Sequence, residues 1–296
     1  MSSIPTSESK SSKIEVFFKR LLSTVILWGL ILGGLFAGGR FISLITFWLV
    51  ICGLSLAAYR EFVRMFDAEA MKFGQRSLAV LGVTYLSLEL YGSVSPDIDR
   101  SMAVLGLIGV WMVYLLFHYR CETTRLTVLA RLVFGWFYIF FLAGFLVQIF
   151  TFQPLNGSWL LILFFFLTKF SDLGAYVTGS LIGKRKMIPK VSPGKTWEGF
   201  CGAIVFSALF GFLLVKLFPQ SFEYIPSYHV LILGALLGAF AVLGDLVESL
   251  MKREAQVKDS GQFIPGIGGA LDLIDSLLFN APLMYLYLHL FVQNRT

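Results

Sequence analysis

Residues 228–251 read YHVLILGALLGAFAVLGDLVESLM. From Val230 to Gly244 no side chain is charged, and Asp245, Glu248 and Lys252 then follow at helical spacings of three and four. Wound as an α-helix at about 1.5 Å per residue, such a stretch covers the roughly 30 Å hydrocarbon core of a bilayer. It therefore reads as a transmembrane helix with two acids set into one end. Ionisable groups are costly in lipid, so their position marks function by default.

The rest of the chain has the same character. With 57% hydrophobic and 14% charged residues and a mean hydropathy of +0.78, it lies outside the range of soluble globular domains. Apolar stretches near 20–38, 41–58, 77–92, 101–118, 126–150, 158–182, 198–217, 228–251 and 268–291 predict an all-α, polytopic transmembrane helix bundle of about nine spans. Residues 1–20 are polar and Ser-rich and read as a disordered cytosolic tail. The first apolar stretch is long, lacks a small-residue cleavage pattern and runs at once into a second, which argues against a cleaved signal peptide. Cys52, Cys121 and Cys201 are scattered, without disulfide or metal-ligand spacing.

Basic residues set the orientation, because Lys and Arg accumulate in cytoplasmic loops. With the N-terminus cytoplasmic, the inner loops receive Lys10, Lys13, Lys19 and Arg20, then Arg60, Arg64, Lys72 and Arg76, then Arg120, Arg125 and Arg131. They also receive Lys184, Arg185, Lys186, Lys190 and Lys195, and finally Lys252, Arg253 and Lys258; only Arg40, Arg100, Lys216 and Arg295 fall outside. The net charge of +6 thus sits on the inner face, where anionic headgroups and phosphorylated substrates are the natural partners. Nucleic acid is not a natural partner, since no soluble domain offers a groove.

Across the first five expected spans the one acid at membrane depth is Glu89, near an outer end, whereas the last four hold Lys169, Asp172, Asp245, Glu248, Asp272 and Asp275, with Glu198 at a helix start. The contrast divides the chain into an N-terminal scaffold region (21–152) and a C-terminal catalytic region (153–296). Lys169, Asp172, Tyr176, Gly179 and Gly183 share one helical stripe, as do Asp245, Glu248, Ser249 and Lys252. Asp272, Asp275 and Ser276 open the last span. Carboxylates from three helices beneath basic loops describe a magnesium site for a nucleoside triphosphate, with hard oxygen ligands for the ion and lysines for the remaining phosphate charge. Charge pairing between helices would account for an isolated pair such as Lys169 with Asp172, but four or five acids at one level repel unless a cation joins them.

Two motifs lie beside these acids. Ser171-Asp172-Leu173-Gly174-Ala175-Tyr176 runs through Gly183-Lys184-Arg185-Lys186 to Val191-Ser192-Pro193-Gly194-Lys195-Thr196-Trp197-Glu198-Gly199. A helix N-terminus with a hydroxyl and a lysine makes a phosphate cradle; it equally makes an ordinary helix cap, with Thr196 capping. Gly244-Asp245-Leu246-Val247-Glu248-Ser249 continues through Lys252-Arg253 and Lys258-Asp259-Ser260-Gly261 to Ile264-Pro265-Gly266-Ile267-Gly268-Gly269-Ala270-Leu271-Asp272-Leu273-Ile274-Asp275-Ser276. Gly268 and Gly269 fit either a close approach to a ligand or helix packing.

Over roughly residues 165–280 these segments resemble the phosphatidate cytidylyltransferase family. The resemblance implies that CTP and phosphatidic acid give CDP-diacylglycerol and pyrophosphate with Mg2+, in a bacterial inner membrane with the site on the cytoplasmic side. It implies Asp245 and Asp272 as principal metal ligands, with Asp275 and Asp172 as further ones. Lys195, Lys258, Lys252 and Arg253 become triphosphate or phosphatidate binders, with Ser192 and Thr196 seating phosphate, and Lys195 and Lys258 join Asp245 and Asp272 as the catalytic set. A homodimer is implied by the resemblance alone. The family pattern has histidine where this chain has Gln262 and Ile267, and arginine where it has Leu273; every carboxylate and lysine of the motif is kept. The competing readings are a CTP-dependent lipid kinase, acting on a polyprenol or diacylglycerol, and an ion-coupled transporter.

Overall fold

The computed structural model describes residues 39–66, 68–94, 125–153, 156–257, 260–261 and 268–293, with Gly29, Gly33, Phe36, Gly106, Gly109 and Trp111. The spans expected at 20–38 and 101–118 therefore lie almost wholly outside the described residues, as do the tail 1–20 and Lys258, Gln262 and Ile267.

The described chain is helical nearly throughout. Helix α1 is Arg40–Phe66 and α2 is Ala68–Val94; α3 (Arg125–Trp136) and α4 (Leu142–Phe150) are joined by a π-helical turn, Phe137–Phe141. Helix α5 is Gly157–Ile182, α6 Trp197–Leu217, α7 Ser227–Glu254 and α8 Ala270–Tyr287, with a second π-helical turn at Leu288–Val292. Six segments are long and apolar enough to cross a membrane: Arg40–Phe66, Thr127–Phe150, Gly157–Ile182, Trp197–Leu217, Ser227–Glu254 and Ala270–Val292. The fold is thus an all-α polytopic membrane bundle, with six such segments among the described residues against the nine expected. Helix α2 covers the stretch expected at 77–92.

One departure from all-α character is a two-stranded antiparallel hairpin, β1 (Lys186–Ile188) and β2 (Ser192–Thr196), within the stretch from Lys184 to Thr196 that precedes α6. Lys186 pairs with Thr196 and Ile188 with Ser192, with an irregularity between. Pro189 sits second in the tight turn closed by Val191 N–H donating to Ile188 O (3.1 Å), a position its fixed φ suits.

Helices α5, α6 and α7 pack on one another, and α8 packs on α7. Lipid offers no hydrophobic drive between helices, so close approach rests on small residues and interhelical hydrogen bonds. At the α5–α6 crossing a Cβ on Gly174 would lie 2.5 Å from Gly202 O, and one on Gly202 would lie 2.7 Å from Gly174 O. At α6–α7 a Cβ on Gly238 would come 2.9 Å from Ala203 O. Buried polar side chains complete the join: Asn280 donates to Thr168 Oγ1 (3.1 Å) and Leu237 O (3.0 Å), and Ser171 donates to Gly238 O (3.0 Å).

The first half is held by aromatic packing around Tyr59, Phe62, Trp136 and Phe140, all buried. Helix α8 touches both halves, lying against α7 and α5 on one side and α1 and α4 on the other.

Candidate functional site

Helices α7 and α8 run antiparallel, and their sequence spacing fixes what meets across the seam. A Cβ on Gly244 would touch Phe279 Cβ (2.8 Å) and Asp275 O (3.4 Å), so the backbones approach closely there. With that register, acids spaced three apart on each helix form two rungs. Asp245 comes within hydrogen-bonding reach of Asp275, and Glu248 within reach of Asp272.

Each rung has its own lysines. Lys195, carried by β2, places Nζ 3.1 Å from Asp245 Oδ2 and donates to Val242 O at 2.9 Å. Lys169 on α5 reaches Asp172 Oδ2 (3.2 Å), Ser276 Oγ (3.2 Å) and Leu273 O (3.4 Å). Lys252 bridges the second rung, 2.8 Å from Glu248 Oε2 and 2.9 Å from Asp272 Oδ1. The other oxygen of Asp272 accepts Gly269 N–H (2.9 Å), so the third residue of α8 reaches back to the helix N-cap, Gly269. Asp275 is buried at 3% exposure, while the Asp245 side chain is 36% exposed and forms the mouth.

The hairpin closes the same end of the bundle. Thr196 caps α6, its Oγ1 accepting Gly199 N–H (3.1 Å), so its hydroxyl serves the helix. Glu198 in the first turn of α6 accepts the backbone N–H groups of Lys184 and Arg185 (3.1–3.2 Å), tying the base of the hairpin. Arg253 Nε donates to Val191 O (3.2 Å), clasping the hairpin to the end of α7. Ser192 opens β2 and is half-buried.

The residues expected to act together thus converge at one end of the bundle but divide between two rungs. Asp245, Asp275, Asp172, Lys169 and Lys195 surround the first; Asp272, Glu248 and Lys252 make the second. Among the described residues no group of three acids, histidines or cysteines stands ready by itself to hold a metal ion. Two carboxylates in contact repel unless a cation or a shared proton joins them. Five acids (Asp172, Asp245, Glu248, Asp272 and Asp275) face three lysines (Lys169, Lys195 and Lys252). A divalent cation matches that imbalance, and the donor set is the hard-oxygen type that magnesium prefers, with one or two carboxylates from protein and the rest from phosphate.

The first half also contributes. Tyr138, in the π-helical turn between α3 and α4, is buried within electrostatic range of Asp275, Glu248 and Asp245, and its hydroxyl has no hydrogen-bond partner among the described residues. Glu61 of α1 reaches the start of α8, where its Oε2 accepts Leu271 N–H at 3.0 Å. Neither is marked by sequence spacing, because both lie far along the chain from their neighbours in space.

A family model described as the cytidylyltransferase family matches residues 18–291. This chain belongs to that family. Among relatives of this cytidylyltransferase family member, the phosphatidate cytidylyltransferase of Haemophilus influenzae is 41% identical over 158 residues, 51% of this chain and 54% of that one. That of Bacillus subtilis is 47% identical over 123 residues, 41% of this chain and 44% of that one. The chain thus spans about half the length of these two relatives. A third, from Synechocystis sp., is 32% identical over 297 residues, covering 91% of this chain and 95% of its own length.

Proposed function

We propose that this protein is a phosphatidate cytidylyltransferase, transferring the cytidylyl group of CTP to phosphatidic acid to give CDP-diacylglycerol and pyrophosphate. The observation that carries the reading is the Asp245·Asp275 rung, held by Lys195 from a basic hairpin at one end of a membrane bundle. Its relatives from Haemophilus, Bacillus and Synechocystis bear that enzyme name.

In the reaction a phosphatidate oxygen attacks the α-phosphorus of CTP in line with the departing pyrophosphate; the new P–O bond forms as the bond between the α-phosphorus and its bridging oxygen breaks. The nucleophile is anionic at neutral pH, so positioning and charge stabilisation do most of the work. Lys195 and Lys169 lie where phosphate charge would gather, and Lys252 can exchange a carboxylate for phosphate. Arg253 and Ser192 hold the hairpin edge of the same mouth, and Lys258 follows in sequence. Asp245 and Asp275 would hold Mg2+, with Asp172 beside them and Asp272 joining where Lys252 turns to phosphate. When bound, the ion would neutralise charge on the triphosphate.

The bundle has about nine spans in this proposal, with a cytoplasmic N-terminus and the mouth at the inner leaflet of the bacterial inner membrane, because Lys184, Arg185, Lys186, Lys190 and Arg253 gather there. CTP then arrives from water and phosphatidic acid from the leaflet. A homodimer rests on the family resemblance alone and is tested by cross-linking in native membranes.

The test is pyrophosphate release from CTP by protein purified in detergent, with and without phosphatidic acid and Mg2+. Release should require both and should disappear in Asp245→Asn. Lipid-independent release, or transfer of the γ-phosphate rather than the α-phosphate, overturns the assignment.

A further inference from the structure

The contact between Glu61 and α8 joins parts of the chain that are 210 residues apart. Glu61 lies in the last turns of α1 and is 8% exposed. Its carboxylate is wedged between two glycines of the motif that precedes α8. A Cβ on Gly269 would lie 2.5 Å from Glu61 Oε2, and one on Gly261 would lie 2.6 Å from its carboxyl carbon. Neither glycine has a positive φ, in contrast to Gly268 at +125°. At 261 the three nearest atoms all belong to Glu61, and at 269 the space is taken by Ser260 Oγ together with Glu61, so both glycines answer to close neighbours and not to backbone conformation.

The first N–H groups of a helix have no partner within it and carry the positive end of its dipole, so a carboxylate aimed at them both bonds and balances charge. Two carboxylates do this for α8. Asp272 takes Gly269 N–H and Glu61 takes Leu271 N–H. Asp272 belongs to α8 and sets its local geometry, while its other oxygen meets Lys252 of α7. Glu61 comes from another helix and so fixes where the start of α8 sits in the bundle, and with it the rotation that turns Asp272 and Asp275 toward α7.

We infer that Glu61 is a positioning residue for the cytidylyl-transfer site, docking the N-terminus of α8 onto α1 so that the carboxylate rungs meet. This rests on the function proposed above. Loss of the anchor lets the start of α8 shift by a fraction of a turn, and catalysis that depends on placement is sensitive to displacements of about 1 Å. Substrate affinity, set largely by the lysines of β2 and α7, should change little.

The experiment uses the full chain in detergent, with kcat and KM for CTP and backbone amide exchange over 268–275. Glu61→Ala should lower kcat about 100-fold while KM for CTP stays within about threefold, and exchange at the start of α8 should quicken about tenfold. Glu61→Gln, which keeps an oxygen acceptor without the charge, should recover part of the kcat. Gly261→Ala should be harmful alone, because its Cβ meets the Glu61 side chain, yet add nothing in the Glu61→Ala background, where that space is vacated. Unchanged kcat, a fall in kcat with unaltered exchange, or fully additive losses for Gly261→Ala and Glu61→Ala would each overturn the inference. A wild-type protein without transfer to phosphatidic acid would sink the proposed function instead, and the exchange measurement would still decide the anchor.

Discussion

Lys195 Nζ sits 3.1 Å from Asp245 Oδ2 and 2.9 Å from the carbonyl oxygen of Val242, one turn earlier on α7. The hairpin lysine thus grips both a side chain and the backbone of the helix that bears the acid. The grip orients Asp245 and holds β2 over the mouth of the site. It also stores a cation where an arriving triphosphate would need one.

Replacing Lys195 by Met should therefore lower kcat/KM for CTP by about 100- to 1,000-fold, since it removes a preorganised charge and frees Asp245. Lys195→Arg should recover little, because a planar guanidinium does not reproduce a compact ammonium aimed at two acceptors. Steady-state kinetics with varied CTP check both, and wild-type kinetics in Lys195→Met would remove the residue from the mechanism.

The two rungs should separate in their dependence on magnesium. Asp275→Asn removes a buried carboxylate of the first rung that makes no direct ion pair among the described residues, and should cost about 100-fold in kcat while raising the Mg2+ needed for half-maximal rate about tenfold. Asp272→Asn should raise the Mg2+ requirement less than Asp275→Asn does, because Asp272 is engaged by Lys252 and by Gly269 N–H and would join the ion only once Lys252 turns to phosphate. Mg2+ titrations of the two variants side by side make the comparison. The reverse ranking would move the ion to the second rung.

The membrane bundle and the acids that gather at one end were legible from hydropathy and helical spacing, since period 3.6 places Asp245 with Glu248 and Asp272 with Asp275 on shared stripes. The pairing between stripes was not legible. Spacing within a helix carries no register between helices, and the close approach at Gly244 decides that Asp245 meets Asp275. Glu61 was hidden because the apolar stretch of α1 stops near residue 58, where charges begin, whereas its hydrogen-bonded helix continues to Phe66. The hairpin was hidden because Lys186–Ile188 is too short for an alternating pattern and Ser192–Thr196 contains Pro and Gly, which usually argue against a strand. Asn280 was not legible because a lone uncharged amide in an apolar stretch carries no spacing signal.

Asn280 should matter for stability rather than chemistry. Its amide nitrogen links α8 to Thr168 of α5 and to Leu237 of α7, at a fully buried position. Interhelical hydrogen bonds in membranes contribute about 0.6 kcal/mol each on average and up to about 1.7. Asn280→Leu should therefore cost about 1–2 kcal/mol, seen as a lower Tm in detergent, with KM for CTP unchanged. A change in KM without a change in Tm would give Asn280 a part in the site.

Tyr138 offers the sharpest separation of the two roles, because stability and activity should move independently. Its hydroxyl is buried without a partner among the described residues, within electrostatic range of carboxylates of both rungs. Deleting a buried hydroxyl that has no partner is neutral or stabilising, so Tyr138→Phe should leave Tm unchanged or slightly raised. If the phenol donates to a phosphate oxygen or an acid of the working site, the same variant loses one aimed donor, and kcat should fall about tenfold or more. Circular dichroism melting and steady-state kinetics on one preparation measure both quantities. Wild-type kcat in Tyr138→Phe would make the tyrosine a packing residue, and the π-helical turn that carries it would then have no catalytic meaning.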